Sequence, residues 1–244
     1  MNTIQKISNF RSEIGTLLAK YFFFSQASLK QILIDYINTF IKNLKYKPFD
    51  TVYSQVEINE ELPEPNNFRT DFSEIIYIND YVPKCIREII NANKKKIQEY
   101  LGVNFLYDKK INVYKTFNIP EFMHKFDIYA NIWHIDNHDG FKLIRIFILL
   151  HEVKDSDGPL VYLDRESTKK YWHFLKDRWT YQNKNGIKEF IEQKKFTGKK
   201  GNYLLVNTAE CAHRASVPTK ERTMLVATLY PEWRIKDGRC YYKF

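Results

Sequence analysis

The sequence predicts an α+β fold in which a double-stranded β-helix of the jelly-roll or cupin type follows an N-terminal α-helical wrap. Residues 1–102 show mainly helical periodicity, whereas residues 103–244 break into short β-rich runs separated by turn residues. Helices followed by many short strands are typical of a β-sandwich or barrel with a helical layer. No Gly/Ser-rich linker divides the 244 residues, so we expect one domain spanning 1–244.

Two amphipathic segments carry the helical prediction. Asp80 is the candidate cap of one helix, with Pro83 in its first turn and Gly102 placed to end it. Ser28 is placed to cap the other helix, whose apolar residues recur at steps of three and four. These apolar residues are Leu29, Ile32, Leu33, Tyr36, Ile37, Phe40 and Leu44.

The second half of the chain contains seven runs that suit β-strands, because they are rich in β-branched and aromatic residues and end at turns. A helical interruption is expected from residue 167 through 179 and on to about 195. The predicted strands are 111–117, 128–136, 141–151, 158–163, 202–208, 212–217 and 222–230.

The bulk composition narrows the partners and the compartment. The net charge of +9 would suit an anionic partner, but the lysines are scattered and form no dense basic block, so no nucleic-acid partner is expected. Three widely spaced cysteines without a CxxC pair favour a reducing, cytoplasmic compartment. The apolar run 14–24 is interrupted by Lys20 and is too short to span a bilayer, so no membrane partner is expected. The oligomeric state stays open.

A candidate metal site is formed by His134, Asp136 and His213. Residues two apart on a strand project to the same face, so His134 and Asp136 can bind one ion together. His213 lies at the start of a later predicted strand. Two histidines and one carboxylate leave coordination positions open, which suits Fe(II) in oxygenases, whereas structural zinc sites close their coordination shell. A keto acid could chelate two open positions, and O2 could take the last.

Arg222 is the candidate partner of the keto acid's far carboxylate. Residues 213–217, a turn at 218–221 and Arg222 onward are interpreted as a β-hairpin, which turns Arg222 to the same side as His213. The two residues are then separated by about 13 Å at the usual strand rise. Arg214 neighbours His213 on a strand and is expected to point outward, as an exposed charge.

These motifs together resemble the phytanoyl-CoA dioxygenase family of iron/2-oxoglutarate enzymes over roughly residues 128–230. The matching segments are Trp133-His134-Ile135-Asp136, Asp157-Gly158-Pro159-Leu160, the run 201–208, and His213-Arg214-Ala215-Ser216 with Arg222 nine positions after His213. The resemblance implies a double-stranded β-helix, Fe(II) as cofactor and 2-oxoglutarate as cosubstrate, with succinate and carbon dioxide as by-products. Many relatives have a Gly-Ser-His element after Gly-Pro, whereas this chain has Tyr162-Leu163-Asp164 there, so the family's substrate is not transferred.

Four further residues are candidates near the site. Asn131 could contact the keto acid, and His138 could face the substrate. Arg145 interrupts an apolar strand and either binds an acidic group of the substrate or emerges on the solvent face. Cys211 shares strand parity with His213 and is interpreted as a small buried hydrophobic residue.

The leading functional hypothesis is hydroxylation of a C–H bond in a small-molecule substrate, which can be an anionic metabolite. Within the family resemblance, Asp136 favours hydroxylation, since related halogenases have Ala or Gly at that position. Desaturation or ring formation remains open. Two alternatives are an oxidative demethylase or hydroxylase acting on nucleic acid or protein, and a non-catalytic β-helix binding module.

Overall fold

The computed structural model describes residues 48–62, 68–69, 73–78, 81–102, 104–108, 111–117, 131–136, 142–175, 190–231 and 241–243. The helix predicted after Ser28, the apolar run 14–24 and the residue His138 lie outside these ranges. No helix in the described ranges is long and apolar enough to cross a membrane.

The described strands form two antiparallel sheets. The larger sheet has the strand order β1-β9-β6-β11-β5-β3-β2, with β4 pairing to β11 and β12 pairing to β4. The smaller sheet has the order β10-β7-β8. The bounds are β1 Val52–Gln55, β2 Phe68–Arg69, β3 Ser73–Ile78, β4 Phe105–Asp108, β5 Ile111–Thr116, β6 Ile144–Leu149, β7 Leu160–Tyr162, β8 Lys194–Phe196, β9 Asn202–Val206, β10 His213–Ala215, β11 Arg222–Pro231 and β12 Tyr241–Lys243.

From β6 to β11 the chain passes repeatedly between the two sheets. β6, β9 and β11 belong to the larger sheet, while β7, β8 and β10 belong to the smaller one. This alternation, with antiparallel pairing throughout, is the connectivity of a double-stranded β-helix. It places the beginning of β10 and the beginning of β11 on facing sheets.

Two apolar layers follow from the alternation of side chains along the strands. On β6, Ile144, Ile146 and Ile148 join the layer beneath the helices, whereas Phe147 and Leu149 face the smaller sheet. The layer between the sheets also contains Tyr162 and Cys211, so Cys211 is a buried residue as predicted. Side chains of odd number on β6 and even number on β11 therefore line the inner surface.

The helices of the described ranges are α1 Lys84–Ala92, α2 Lys94–Leu101, α3 Arg165–Lys170 and α4 Trp172–Leu175. α1 begins after Pro83, and its first free backbone N–H groups donate to a distant carboxylate. The Lys84 N–H donates to Glu60 Oε2 at 2.9 Å and the Cys85 N–H donates to Glu60 Oε1 at 2.8 Å. Glu60 thus caps the N-terminus of α1, the role that the sequence assigned to Asp80. Asp80 lies outside the described ranges.

Several predicted elements need correction. The described part of the first 102 residues contains β1, β2 and β3 as well as α1 and α2, so it is not mainly helical. The single helix expected up to Gly102 is two helices that meet at Asn93. In the expected helical interruption, residues 194–196 form β8, because they pair with β7 and complete the smaller sheet.

Gly158 provides a test of how closely the turn before β7 packs against Val217 and Pro218. Its φ is +75°, and an added Cβ would lie 2.2 Å from the Val217 carbonyl oxygen and 2.5 Å from Pro218 Cα. We expect Gly158→Ala to lower the free energy of unfolding by at least about 1–3 kcal/mol, the usual cost of such a backbone conformation for a residue with a side chain. Urea denaturation followed by circular dichroism measures this. Ser156→Ala is the control, and equal stability of the two variants would contradict the packing.

Candidate metal centre

His134 and His213 are brought together by their backbones. They form an isolated antiparallel β-bridge in which each residue's N–H donates to the other's carbonyl, at 3.0 and 2.9 Å. Their imidazole rings lie with centroids 4.3 Å apart. Because β10 also pairs with β7, His134 extends the smaller sheet by one residue, next to His213. The expected strand 128–136 is reduced, in its described part, to this bridge.

The backbone also decides which nitrogen of each histidine faces the site. His134 Nδ1 lies 2.7 Å from the Ile132 carbonyl, and His213 Nδ1 lies 3.2 Å from the Cys211 carbonyl. A carbonyl only accepts, so in the neutral ring Nδ1 carries the proton. Both Nε2 atoms are then left with lone pairs for a metal ion, the arrangement commonly seen in histidine ligands.

Asp136 supplies the anionic ligand. Its N–H donates to the Thr208 carbonyl at 2.8 Å, and its Oδ2 lies 3.5 Å from His213 Nε2. Burial by itself would raise the pKa of this carboxyl, but His213 and Arg145 lower the pKa to about 2. Asp136 is therefore ionised at neutral pH, although its side chain is only 6% exposed.

The three ligand groups fit a single divalent ion of the first transition row. One ligand atom from each residue can be chosen so that all three lie within 4.8 Å of one another. Two atoms bound about 2.1 Å from a shared ion at right to tetrahedral angles lie about 3.0–3.5 Å apart, which matches the His213–Asp136 distance. Two imidazoles and one carboxylate are the donor set of open non-haem iron sites, and no cysteine among the described residues belongs to this cluster.

Arg145 lies against the metal-ligand carboxylate. Its Nε is 2.8 Å from Asp136 Oδ2, the oxygen that also approaches His213. Arg145 pairs with Thr228 and Val206 in the larger sheet and shares the inner-surface parity of Phe147. Its side chain is 18% exposed, so the alternative in which Arg145 emerges on the solvent face is wrong.

Arg222 is a buried cation at the far end of the same inner surface. It is 2% exposed, and Nη1 donates to the Gly158 carbonyl. Burial lowers its pKa to about 10, so it remains protonated at neutral pH. Within the described ranges, no carboxylate forms an ion pair with Arg222, and its Nε has no hydrogen-bond partner. A buried guanidinium in this state favours binding of an anion.

The predicted hairpin between His213 and Arg222 is wrong, although both residues face the interior. β10 pairs with β7, while β11 pairs with β4, β5 and β6 in the other sheet. His213 is opposite Tyr162 on β7, whereas Arg222 Nη1 donates to the carbonyl of Gly158, two residues before β7 begins. His213 and Arg222 therefore reach the interior from two facing sheets.

Arg214 is not the exposed charge that the sequence predicted. It is 6% exposed, and its guanidinium carbon lies 5.3 Å from the centre of the Trp133 ring. The alternation along β10 turns it away from His213, toward the apolar cluster that contains Trp133 and Val161. This cluster covers the outer face of the smaller sheet. The alternation along β10 therefore predicted the direction of the Arg214 side chain but not its burial.

Asn207 is a supporting residue that the sequence analysis missed. Asn207 Nδ2 donates to the Tyr100 hydroxyl at 2.6 Å, and Asn207 Oδ1 accepts from the Ala209 N–H at 3.0 Å. Asn207 thereby fixes the turn between β9 and β10 that leads to His213. An Asn directly after a strand was a local signal for such a turn. Asn131 is 4% exposed in the segment that carries His134.

Comparisons with known proteins identify neighbours among solved structures. No protein-family model matches the sequence, and no curated protein matches it. Among solved structures, the nickel complex of the non-haem monooxygenase ThoJ has a TM-score of 0.36 and 15% identity, covering 62% of this chain and 55% of that one. HygX from Streptomyces hygroscopicus, with nickel, 2-oxoglutarate and hygromycin B bound, has a TM-score of 0.43 and 10% identity, covering 69% and 74%. A Pseudomonas putida prolyl-4-hydroxylase has a TM-score of 0.39 and 14% identity, covering 74% and 92%.

The present chain spans little more than half the length of ThoJ. At these TM-scores and identities, neither the substrates nor the reactions of those proteins transfer to this chain.

The ligand set can be tested without any activity assay. We expect His134→Ala, Asp136→Ala and His213→Ala each to weaken Co(II) binding by at least about a hundredfold, because each removes one of three protein ligands. Isothermal titration and the visible spectrum of Co(II) measure this. His151→Ala is the control, since His151 is bound to the Glu152 carbonyl and the Thr223 N–H elsewhere. Wild-type affinity in any of the three ligand variants would remove that residue from the site.

Proposed function

We propose that this protein is a mononuclear non-haem Fe(II) dioxygenase that uses 2-oxoglutarate to hydroxylate a C–H bond of a small, anionic metabolite. The observation that carries the proposal is that a His-Asp-His ligand set and a buried guanidinium both face the space between the two sheets, and no carboxylate of the described residues pairs with that guanidinium. The first suits an open iron site, and the second suits the far carboxylate of a dicarboxylate cosubstrate.

In this proposal, His134, Asp136 and His213 would hold the iron. Ferrous iron, when bound, supplies the activation of dioxygen coupled to decarboxylation of the keto acid, with release of succinate and CO2. Arg222 would hold the carboxylate at the other end of 2-oxoglutarate, since its planar fork matches a carboxylate in two-point contact. The apolar layer between the sheets, including Phe147 and Met224, would exclude water from the space between these two groups.

The substrate side of the proposal concerns two residues. Arg145 borders the metal ligands, so an anionic group of a substrate near the metal would meet a cation. His138 is proposed to face the substrate, and it lies outside the described residues. Asn131 is proposed as a weaker contact of the keto acid, from the segment that carries His134. Acidic metabolites are therefore the first candidates for the substrate.

The central experiment is anaerobic addition of Fe(II) and 2-oxoglutarate to the purified protein. A chelated keto acid should produce a weak visible charge-transfer band, and admission of oxygen with an accepted acidic metabolite should release succinate. Screening acidic metabolites for succinate release then identifies the substrate class. Absence of Fe(II) and 2-oxoglutarate binding at millimolar concentrations would exclude the proposed function.

The role of Arg222 is tested by comparison with Arg214. We expect Arg222→Ala to weaken 2-oxoglutarate binding roughly thirty- to several-thousand-fold, because a buried carboxylate without its cation costs about 2–5 kcal/mol. Arg214→Ala should leave 2-oxoglutarate affinity within about threefold, but lower the melting temperature, because it removes a buried cation over Trp133. Titrations under nitrogen, with Fe(II) saturating, measure both affinities. A larger loss of affinity in Arg214→Ala than in Arg222→Ala would refute the cosubstrate assignment.

A further inference from the structure

In the proposed enzyme, Asp136 Oδ2 would have two cationic partners, which are Arg145 and the metal ion. In the structure it lies 2.8 Å from Arg145 Nε, and it also faces His213 Nε2 at 3.5 Å. A metal ion bound by His213 and Asp136 would therefore be coordinated by the same carboxylate that forms an ion pair with Arg145. Both cations are close to one anion, on a surface that is largely shielded from water, where screening of their mutual repulsion is weak.

Backbone hydrogen bonds hold both Arg145 and Asp136 in place. Arg145 lies on β6, between β9 and β11 in the larger sheet, with Val206 and Thr228 as its neighbours across the strands. Asp136 is held by the hydrogen bond from its N–H to the Thr208 carbonyl. The backbones of Arg145 and Asp136 are therefore both anchored, which keeps the guanidinium within reach of the carboxylate.

We propose that Arg145 competes with the metal ion for Asp136, so that the site binds a divalent cation weakly alone and strongly together with an anion. This inference rests on the proposed function, because it assumes that the three ligands take a metal ion. A keto acid brings a carboxylate to the metal and so adds negative charge close to both cations. Arg145 thus makes metal binding and cosubstrate binding depend on each other, and such coupling is reciprocal.

Removal of a competing Arg145 would change metal affinity in the opposite direction to removal of a residue that only holds Asp136 in place. Loss of a positioning contact to a ligand carboxylate typically weakens metal binding ten- to a hundredfold. Loss of a competing cation strengthens the binding of the metal alone and reduces the benefit from the anion. The sign of the change in metal affinity therefore distinguishes the two roles.

The experiment compares Co(II) binding in the absence and in the presence of saturating 2-oxoglutarate under nitrogen, by calorimetry and by the visible spectrum of Co(II). In Arg145→Gln, we expect Co(II) alone to bind more tightly, by roughly 5- to 150-fold, the usual range of coupling between sites. The factor by which 2-oxoglutarate improves Co(II) binding should fall by a similar amount. Arg145→Lys retains the charge and should behave like the wild type in both measurements.

Arg165→Ala is a matched control. Arg165 also forms a partly buried pair with a carboxylate, Glu210 Oε2 at 3.3 Å, and neither residue belongs to the ligand set. Its removal should leave both Co(II) affinities within about twofold. Thermal unfolding of all variants shows whether the proteins compared are folded, and Arg145→Lys keeps the comparison available if Arg145→Gln is unstable.

Each alternative outcome has a definite meaning. Weaker or unchanged binding of Co(II) alone by Arg145→Gln would overturn the competition and leave Arg145 as a positioning or passive residue. If wild-type protein binds Co(II) and 2-oxoglutarate, such a result refutes only the role of Arg145. If wild-type protein binds no Co(II) with or without 2-oxoglutarate, the proposed function fails together with the inference.

Discussion

The reciprocal backbone pairing of His134 and His213 is the contact on which the candidate site depends. The two residues are 79 positions apart in the sequence, and two hydrogen bonds hold their Cα atoms in one row of the smaller sheet. Hydrogen bonds from the imidazole Nδ1 atoms to nearby carbonyls then orient both rings. Asp136, two residues after His134, is placed beside them by its hydrogen bond to Thr208. A site assembled from backbone contacts in this way is largely pre-formed, which reduces the ordering cost of binding an ion.

The larger sheet contributes charge to a site whose ligands lie on and beside the smaller one. Arg145 and Arg222 both come from strands of the larger sheet and both point into the space between the sheets. Because sheets pack about 10 Å apart, side chains from one sheet can reach groups held by the other. The division separates two tasks: the smaller sheet and the segment before it position the candidate ligands, and the larger sheet supplies the cations that recognise anions.

The sequence predicted well those features that depend on local spacing. His134 and Asp136 are two residues apart, and in the structure one ligand atom from each lies within 4.8 Å of one from His213. Features that depend on distant contacts were missed. Glu60 caps α1 from 24 residues away, and no local pattern at Pro83 or Asp80 indicates this. Arg222 reaches the interior as expected, but through a strand in the opposite sheet, because the turn at 218–221 connects two sheets and does not close a hairpin. Arg214 shows the same limit, since alternation determines the face of a strand while only the full fold determines what covers that face.

The pairing of β1 with β9 has a consequence for association between molecules. β9 contributes four buried residues, Tyr203, Leu204, Leu205 and Val206, and its outer edge is closed by β1. Among the described strands, β1 is the last one on this side of the larger sheet; it is only four residues long, and Tyr53, Ser54 and Gln55 are exposed. Short polar edge strands are a common protection against strand addition from other molecules. A chain cleaved so that β1 is lost would uncover the backbone of an apolar strand and gain a surface for intermolecular β-pairing, and thus for aggregation, with the candidate metal ligands unchanged.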